Sequence, residues 1–276
     1  MQSAVLTKSE IDQFHCDGFV VVRGAFARAD ANAMEDAWWK ELSDLYGIKR
    51  DDRSTWVQPA RDLRGGKTSP MQTKIHTARV KGAIDDLLGE GKWQWPKQWG
   101  RAVATFPQGG TWDVPEDRKG AALWHWDSPV AWHRDGMCAV FAFSFVGAVA
   151  PSSGGTSIVS GSHRLLRLWD AQITEGRRAN DGPAQREWFS KAHPWLAALT
   201  GAAPSPADRR RVFMEDGVEI GGIHLRVVEL GGEPGDMVLC HPTIVHTASP
   251  NCGTWPRFMR IGMVGGERLA RHLKGG

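Results

Sequence analysis

The sequence predicts a mainly β fold with flanking helices, an antiparallel sandwich or barrel, and three observations predict it. Short apolar runs of strand length recur through the second half of the chain, separated by turns rich in glycine and proline. Helical patterning is concentrated at the start and in one later block. No internal repeat is visible.

Taken in order, Thr7-Lys8-Ser9-Glu10 is a capping box opening a helix through Phe14, which Gly18 ends. Phe19 to Arg23 is β-branched and reads as a strand, and an amphipathic helix follows from about Asp30 to Leu45. From Tyr46 to Gly100 the pattern weakens: polar and glycine-rich pieces such as Arg64-Gly65-Gly66-Lys67 surround one helix, Thr77 to Leu88. Arg101 to Phe106 reads as a strand ended by Pro107, and Gln108 to Gly120 as a loop. Beyond Asp135 lie an apolar strand run, Met137 to Val149, and a turn at Ser152-Ser153-Gly154-Gly155. A strand from Thr156 to Ser160 then turns out at Gly161-Ser162-His163-Arg164. From Leu165 to about Met214 the chain is charged and helix-like, with Trp188, Phe189, Trp195 and Leu196 at helical spacing on one helix. We read this as an insertion between strands, either a lid or an extra layer outside the sheet. Strand character returns at Ile223 to Leu230, Met237 to His241, Thr243 to Thr247 and Arg257 to Val264.

Length and composition bound the function. A chain of 276 residues, 41% apolar, can bury a large core, and no linker divides it, so a single domain over residues 1–276 is expected. Its N-terminal helices occupy about 1–100 and its helical insertion about 165–215. With 34 basic against 31 acidic residues, neither nucleic acid nor an anionic membrane is the default partner. Basic stretches such as Arg209-Arg210-Arg211 then read as solvated faces. Four cysteines without CxxC spacing, and no signal or spanning segment, predict free thiols in a cytoplasmic protein; nothing fixes an oligomeric state. Fourteen tryptophans against one tyrosine suggest that some line an apolar pocket for a small molecule.

The stretch Ala122 to Asp135, ALWHWDSPVAWHRD, holds two His-x-Asp pairs, His125/Asp127 and His133/Asp135. On a strand, residues two apart share a face, so an imidazole and a carboxylate at this spacing converge on one metal ion. A further histidine downstream would complete the two-histidine, one-carboxylate set of non-haem Fe(II) oxygenases. His224, His241 and His246 are the strand candidates; the last two are five apart and face opposite ways on one strand.

Three blocks resemble the phytanoyl-CoA dioxygenase-like (PhyH) family of Fe(II)/2-oxoglutarate oxygenases: EIDQFHCDGFVVV near the N-terminus, WHWDSP in the middle, and GDMVLCHPTIVHTASPNCGTWPR. The resemblance implies a double-stranded β-helix, a cupin-like jelly roll. It places the distal metal histidine at His246 and, eleven residues on, the co-substrate arginine at Arg257. The 28 residues from Asp127 to Gly155 suit the family's spacing, whereas the 20 from Asp135 do not, so it assigns His125 and Asp127 to iron. It implies Fe(II), 2-oxoglutarate and O2 as cofactors, with succinate and CO2 released. Trp126 and Ser249 are then expected beside the co-substrate, and Trp132, His133 and Asp135 at the substrate. Where members often carry a serine, two residues after the distal histidine, Ala248 stands here. Related halogenases have a small residue in place of the carboxylate, so Asp127 points to hydroxylation or a similar oxidation. Two other readings of the motif are a cupin-like metal enzyme without 2-oxoglutarate, which would leave Arg257 merely structural, and a non-catalytic binding module.

Overall fold

In the computed structural model, which describes residues 4–57, 60–63, 70–116, 124–174 and 182–274, the apolar run after Asp135 forms a strand buried on both faces. The Arg64–Lys67 piece lies outside the described residues. In chain order the strands are β1 (Phe19–Val22), β2 (Ala60–Asp62), β3 (Arg101–Thr105), β4 (Ala139–Phe145) and β5 (Thr156–Ser160). They continue with β6 (Val218–Ile220), β7 (Ile223–Glu229), β8 (Met237–Cys240), β9 (His246–Ala248) and β10 (Arg257–Gly265). Two antiparallel sheets result, one ordered β1-β8-β4-β10-β3-β2 and the other β6-β7-β5-β9.

Alternation along each strand sorts the core into layers. Phe141, Phe143 and Phe145 of β4 point between the sheets, where they meet Val238 and Met259 of the larger sheet and Ile158 of the smaller. Val140 and Ala142 point the other way, under the N-terminal helices. A strand covered on both faces carries no polar alternation, which is why this run reads as continuously apolar.

The helices α1 (Lys8–Asp17), α2 (Arg28–Tyr46) and α3 (Ala78–Leu88) cover the outside of the larger sheet. Thr7 and Glu10 close the capping box on α1, and Gly18 ends it with φ at +85°. Thr77 caps α3. Gly235 is needed for room as well as for its φ of +96°: a Cβ there would lie 2.4 Å from the Phe26 carbonyl.

The block after β5 departs from expectation in detail. Ser162 to Arg164 begin helix α4 (Ser162–Leu168) rather than a turn. It is followed by α5 (Asp170–Thr174), α6 (Gly182–Lys191) and α7 (Pro194–Leu199). Trp188 and Phe189 therefore sit on α6, and Trp195 and Leu196 on α7, because His193 caps a new helix with Pro194 at its first position. These helices bury Leu165, Phe189 and Leu196 against Val159, Leu225 and Val227, the outer face of the smaller sheet. Of the two readings of the insertion, the outer layer matches this packing. The expected strand from Thr243 also shrinks to β9, because Val245 donates its N–H to the Ser162 hydroxyl.

Of Arg209-Arg210-Arg211, only the first departs from a solvated face. Arg209 is 6% exposed and donates to the carbonyls of Val114, Pro115, Ala198 and Leu199 and to the Ser205 hydroxyl. Arg210 lies over Trp112, and it and Arg211, which is paired with Asp216, are exposed. A carbonyl cage from two remote segments makes burial of Arg209 tolerable despite its charge. Arg209→Met should lower unfolding free energy by about 3 kcal/mol, read from the urea midpoint, by leaving those carbonyls unpaired.

The tryptophans serve packing more than a pocket. Trp39 centres an aromatic cluster with Trp56, Trp255 and Phe258 at ring separations of 5.7, 5.7 and 5.2 Å. Trp93, Trp95 and Trp99 form another with His76.

Candidate metal and co-substrate site

The first His-x-Asp pair is not on a regular strand, as the spacing suggested. His125 joins β9 through a single antiparallel bridge, exchanging backbone hydrogen bonds of 3.0 and 2.8 Å with His246. That bridge brings the two imidazoles together, with ring centroids 4.4 Å apart. Asp127 reaches between them: its oxygens lie 3.7 Å from His125 Nε2 and 3.4 Å from His246 Nε2. One donor atom from each of the three residues falls within 4.8 Å of the others, a span that one metal ion can bridge.

The surroundings fix the donors. His246 donates its Nδ1–H to the Ile244 carbonyl at 3.0 Å, so Nε2 is the nitrogen turned toward Asp127 and the one that would be free to bind a metal. Phe141 and Phe143 flank the His246 ring at 5.3 and 6.2 Å. Partial burial pushes the Asp127 carboxyl upward, but the His246 hydrogen bond and the positive fields of His246, His125 and Arg186 hold it below its usual range. It is a carboxylate at neutral pH, as a metal ligand must be.

Arg257 opens β10 with the parity of Met259, so both side chains point between the sheets, while Arg260 points outward to Gln72 and Trp38. Arg257 is 3% exposed; Nη2 donates to the Thr105 hydroxyl at 2.7 Å, and Nε has no partner among the described residues. Burial pushes the guanidinium down to about 10, with Glu229 opposing. Glu229 already accepts from the Ser152 and Gly155 N–H groups. A buried cation with an open donor edge suits an anionic partner such as a carboxylate. The site therefore fits both groups: a divalent metal at the three ligands and a dicarboxylate reaching Arg257. Sequence reasoning missed Thr105 and Glu229, since neither lies in a motif; only the β3–β10 register, Arg257 opposite Thr105, reveals the first.

The remaining site residues are distributed otherwise. Ser249 is buried and its hydroxyl meets that of Ser157 at 2.6 Å. Trp126 packs edge-on against Phe189 of α6 at 5.7 Å, with Trp112 and Trp124 in the same core cluster. Trp132, expected at the substrate, instead stacks on His272 of α8 (Glu267–Lys274), with rings 4.9 Å apart and 8° from parallel. His133 and Asp135 do not join the triad. His133 is 5% exposed, bonded to the Ser128 hydroxyl and accepting from the Cys138 N–H. With Asp135 it lines a separate cavity, where His163 and His241 also stand.

These histidines make a pH prediction. Burial holds His133 and His163 down at about 4, against 6.5 when unfolded. Below pH 6.5 the unfolded chain binds more protons, so stability is whole above that pH and falls as pH drops toward 4. The loss should be on the order of 3 kcal/mol per histidine, and His163→Gln should flatten the decline of the urea midpoint across that window.

A jelly-roll sandwich holding two histidines and a carboxylate beside a buried arginine defines the class of non-haem Fe(II) oxygenases. The family model for phytanoyl-CoA dioxygenase (PhyH) matches residues 14–259, and the chain belongs to that family of Fe(II)/2-oxoglutarate-dependent oxygenases. Among solved structures, the fold is similar to EctD from S. alaskensis with bound Fe: 16% identity over 96% of this chain and 79% of that one, TM-score 0.53. It is also similar to the epimerase SnoN in complex with Fe3+, alpha ketoglutarate and nogalamycin RO: 15% identity, 94% and 83% covered, TM-score 0.52. At these identities the likeness is one of fold. No curated protein matches the chain in sequence. No described helix is long and apolar enough to cross a membrane.

Proposed function

We propose that this oxygenase hydroxylates a C–H bond of a small, largely apolar or aromatic metabolite, with Fe(II) on His125, Asp127 and His246 and 2-oxoglutarate on Arg257. The observation that carries the reading is the pairing of a three-donor cluster spanning 4.8 Å with a buried arginine whose Nε lacks a partner among the described residues. Bound together, iron and 2-oxoglutarate supply an oxidant for C–H bonds by activating O2. The chain's own task is positional. His246 is held in one tautomer by Ile244, Asp127 bridges the two histidines, and Arg257, steadied by Thr105, neutralises the distal carboxylate of the co-substrate.

Phe141 and Phe143 beside His246 support an apolar substrate better than the tryptophans do, since those are spent in packing. Against a metal enzyme without 2-oxoglutarate stands the cost of keeping Arg257 buried with its Nε unmatched. The same reading takes residues 1–276 as one domain, supported by the presence of β1 and β10, near the two ends of the chain, in one sheet. Anaerobic titration with Fe(II) and 2-oxoglutarate tests it: the weak visible charge-transfer band of the chelate should develop to one equivalent. Absence of a band in the wild type would sink the reading, and succinate formation under O2 separates turnover from binding alone.

A further inference from the structure

Beyond the metal centre the molecule contains a second concavity, of about 970 Å³, a size that takes a metabolite-sized ligand. None of His125, Asp127, His246 or Arg257 is among the described residues lining it. It lies where β4 begins and β8 and β10 end, closed in by α1, α3, α4 and α8. Its wall facing the metal loop is His133, bonded to Ser128, the residue after Asp127.

The lining has two characters. Phe14, Leu87, Leu88, Trp93 and Val130 make part of it apolar. Lys92, Arg164, Arg167, Arg268 and Arg271 also face it, and no salt bridge among the described residues joins any of them to a carboxylate. Arg134, a sixth cation, is paired with Asp170. Among the described residues, Arg268 donates to the backbone carbonyls of Trp132 and Asp135, and Arg164 to the Cys16 sulfur. Asp135 and Glu267 are the acidic residues in the described lining, so the five cations outnumber the anions. In a concave, partly apolar wall the field of such an excess is focused rather than dispersed into water. The imidazoles of His133 and His163, held at about 4, are neutral at pH 7 and add hydrogen-bonding groups without charge.

We propose that this cavity is a binding site, separate from the metal centre, for an amphipathic organic anion: an apolar body against Phe14, Leu88 and Trp93, and a phosphate, sulfonate or carboxylate met by Arg167, Arg268 and Arg271. Arg167 and Arg271 are exposed rim residues, so replacing them tests recognition without emptying the core.

The probe is anilinonaphthalene sulfonate, which joins an apolar body to an anionic group and whose fluorescence rises on binding. The wild-type protein should bind it saturably at one site, with inorganic pyrophosphate competing. Arg167→Ala/Arg271→Ala should weaken binding at least tenfold while far-UV circular dichroism stays unchanged, and Arg167→Lys/Arg271→Lys should restore most of it. His246→Ala should bind as the wild type does, and added 2-oxoglutarate should not displace the probe. Wild-type affinity in the double alanine variant would overturn the proposal, as would loss of binding in His246→Ala, displacement by 2-oxoglutarate or indifference to pyrophosphate. Because the assay needs no metal, its failure leaves the oxygenase reading untouched, and failure of the charge-transfer titration leaves this site untouched.

Discussion

His125→Ala should lose iron affinity by at least about a hundredfold and with it essentially all turnover, whereas His133→Ala should retain one iron per chain. The two histidines look alike in sequence, each followed two residues on by an aspartate, and geometry separates them. His125 is bridged to His246, with its Nε2 3.7 Å from Asp127. His133 is buried and occupied by Ser128 and Cys138. Removing a ligand of three leaves a two-donor site that competes poorly with water and buffer for a divalent ion. Removing His133 instead leaves a buried hydroxyl unpaired, so that variant should pay in thermal stability, not in iron. Iron content after anaerobic reconstitution and desalting, beside a melting curve for each variant, decides the matter. Iron retained in His125→Ala and lost in His133→Ala would reverse the ligand assignment.

Arg257→Met should sharply weaken 2-oxoglutarate binding without destabilising the protein when no 2-oxoglutarate is present. The guanidinium is buried, which is why it is pushed down to about 10, and among the described residues its hydrogen bond goes to Thr105. A methionine of similar length removes that buried charge, and such replacements are often neutral or stabilising. With 2-oxoglutarate the order reverses. Loss of one partner of a buried charge pair costs about 2–5 kcal/mol, so affinity should fall by at least about thirtyfold. At a concentration a hundred times its dissociation constant, 2-oxoglutarate should stabilise the wild type by about 2.7 kcal/mol and the variant by much less. Melting temperatures with and without it, alongside the charge-transfer band, check both halves. An undiminished band in the variant would remove Arg257 from the co-substrate site.

Much of this fold is legible in the sequence because its signals are local. A capping box, a glycine after a helix and a β-branched run each act within a few residues, and α1, β1 and α3 follow them closely. The His-x-Asp pair of the proposed metal site is legible for the same reason, and His246 and Arg257, proposed to complete it, through the spacing of a family motif. What was not legible depends on distant partners. The burial of Arg209 is decided by carbonyls about ninety-five residues upstream and ten residues upstream in the chain. A charge run in a cage is indistinguishable, in sequence, from one in water. Trp132 was drawn to the site by its neighbours in the chain, but its ring is claimed by His272 from the last helix. Thr105 acquires its role only when β3 meets β10.

The strand order also governs how the molecule comes into being. In the six-stranded sheet, β8 separates β1 from β4, and β10 separates β4 from β3, although β8 and β10 are made last. Until residues beyond 236 have been synthesised, three early pieces of sheet have no neighbour to join them. Contacts so remote in sequence make for slow closure and leave unpaired strand edges exposed meanwhile. During synthesis, a chain that has not yet reached residue 237 has neither the strands that join this sheet nor His246 of the candidate metal cluster. Closure of the six-stranded sheet thus waits on β8 and β10, which join pieces of sheet made much earlier.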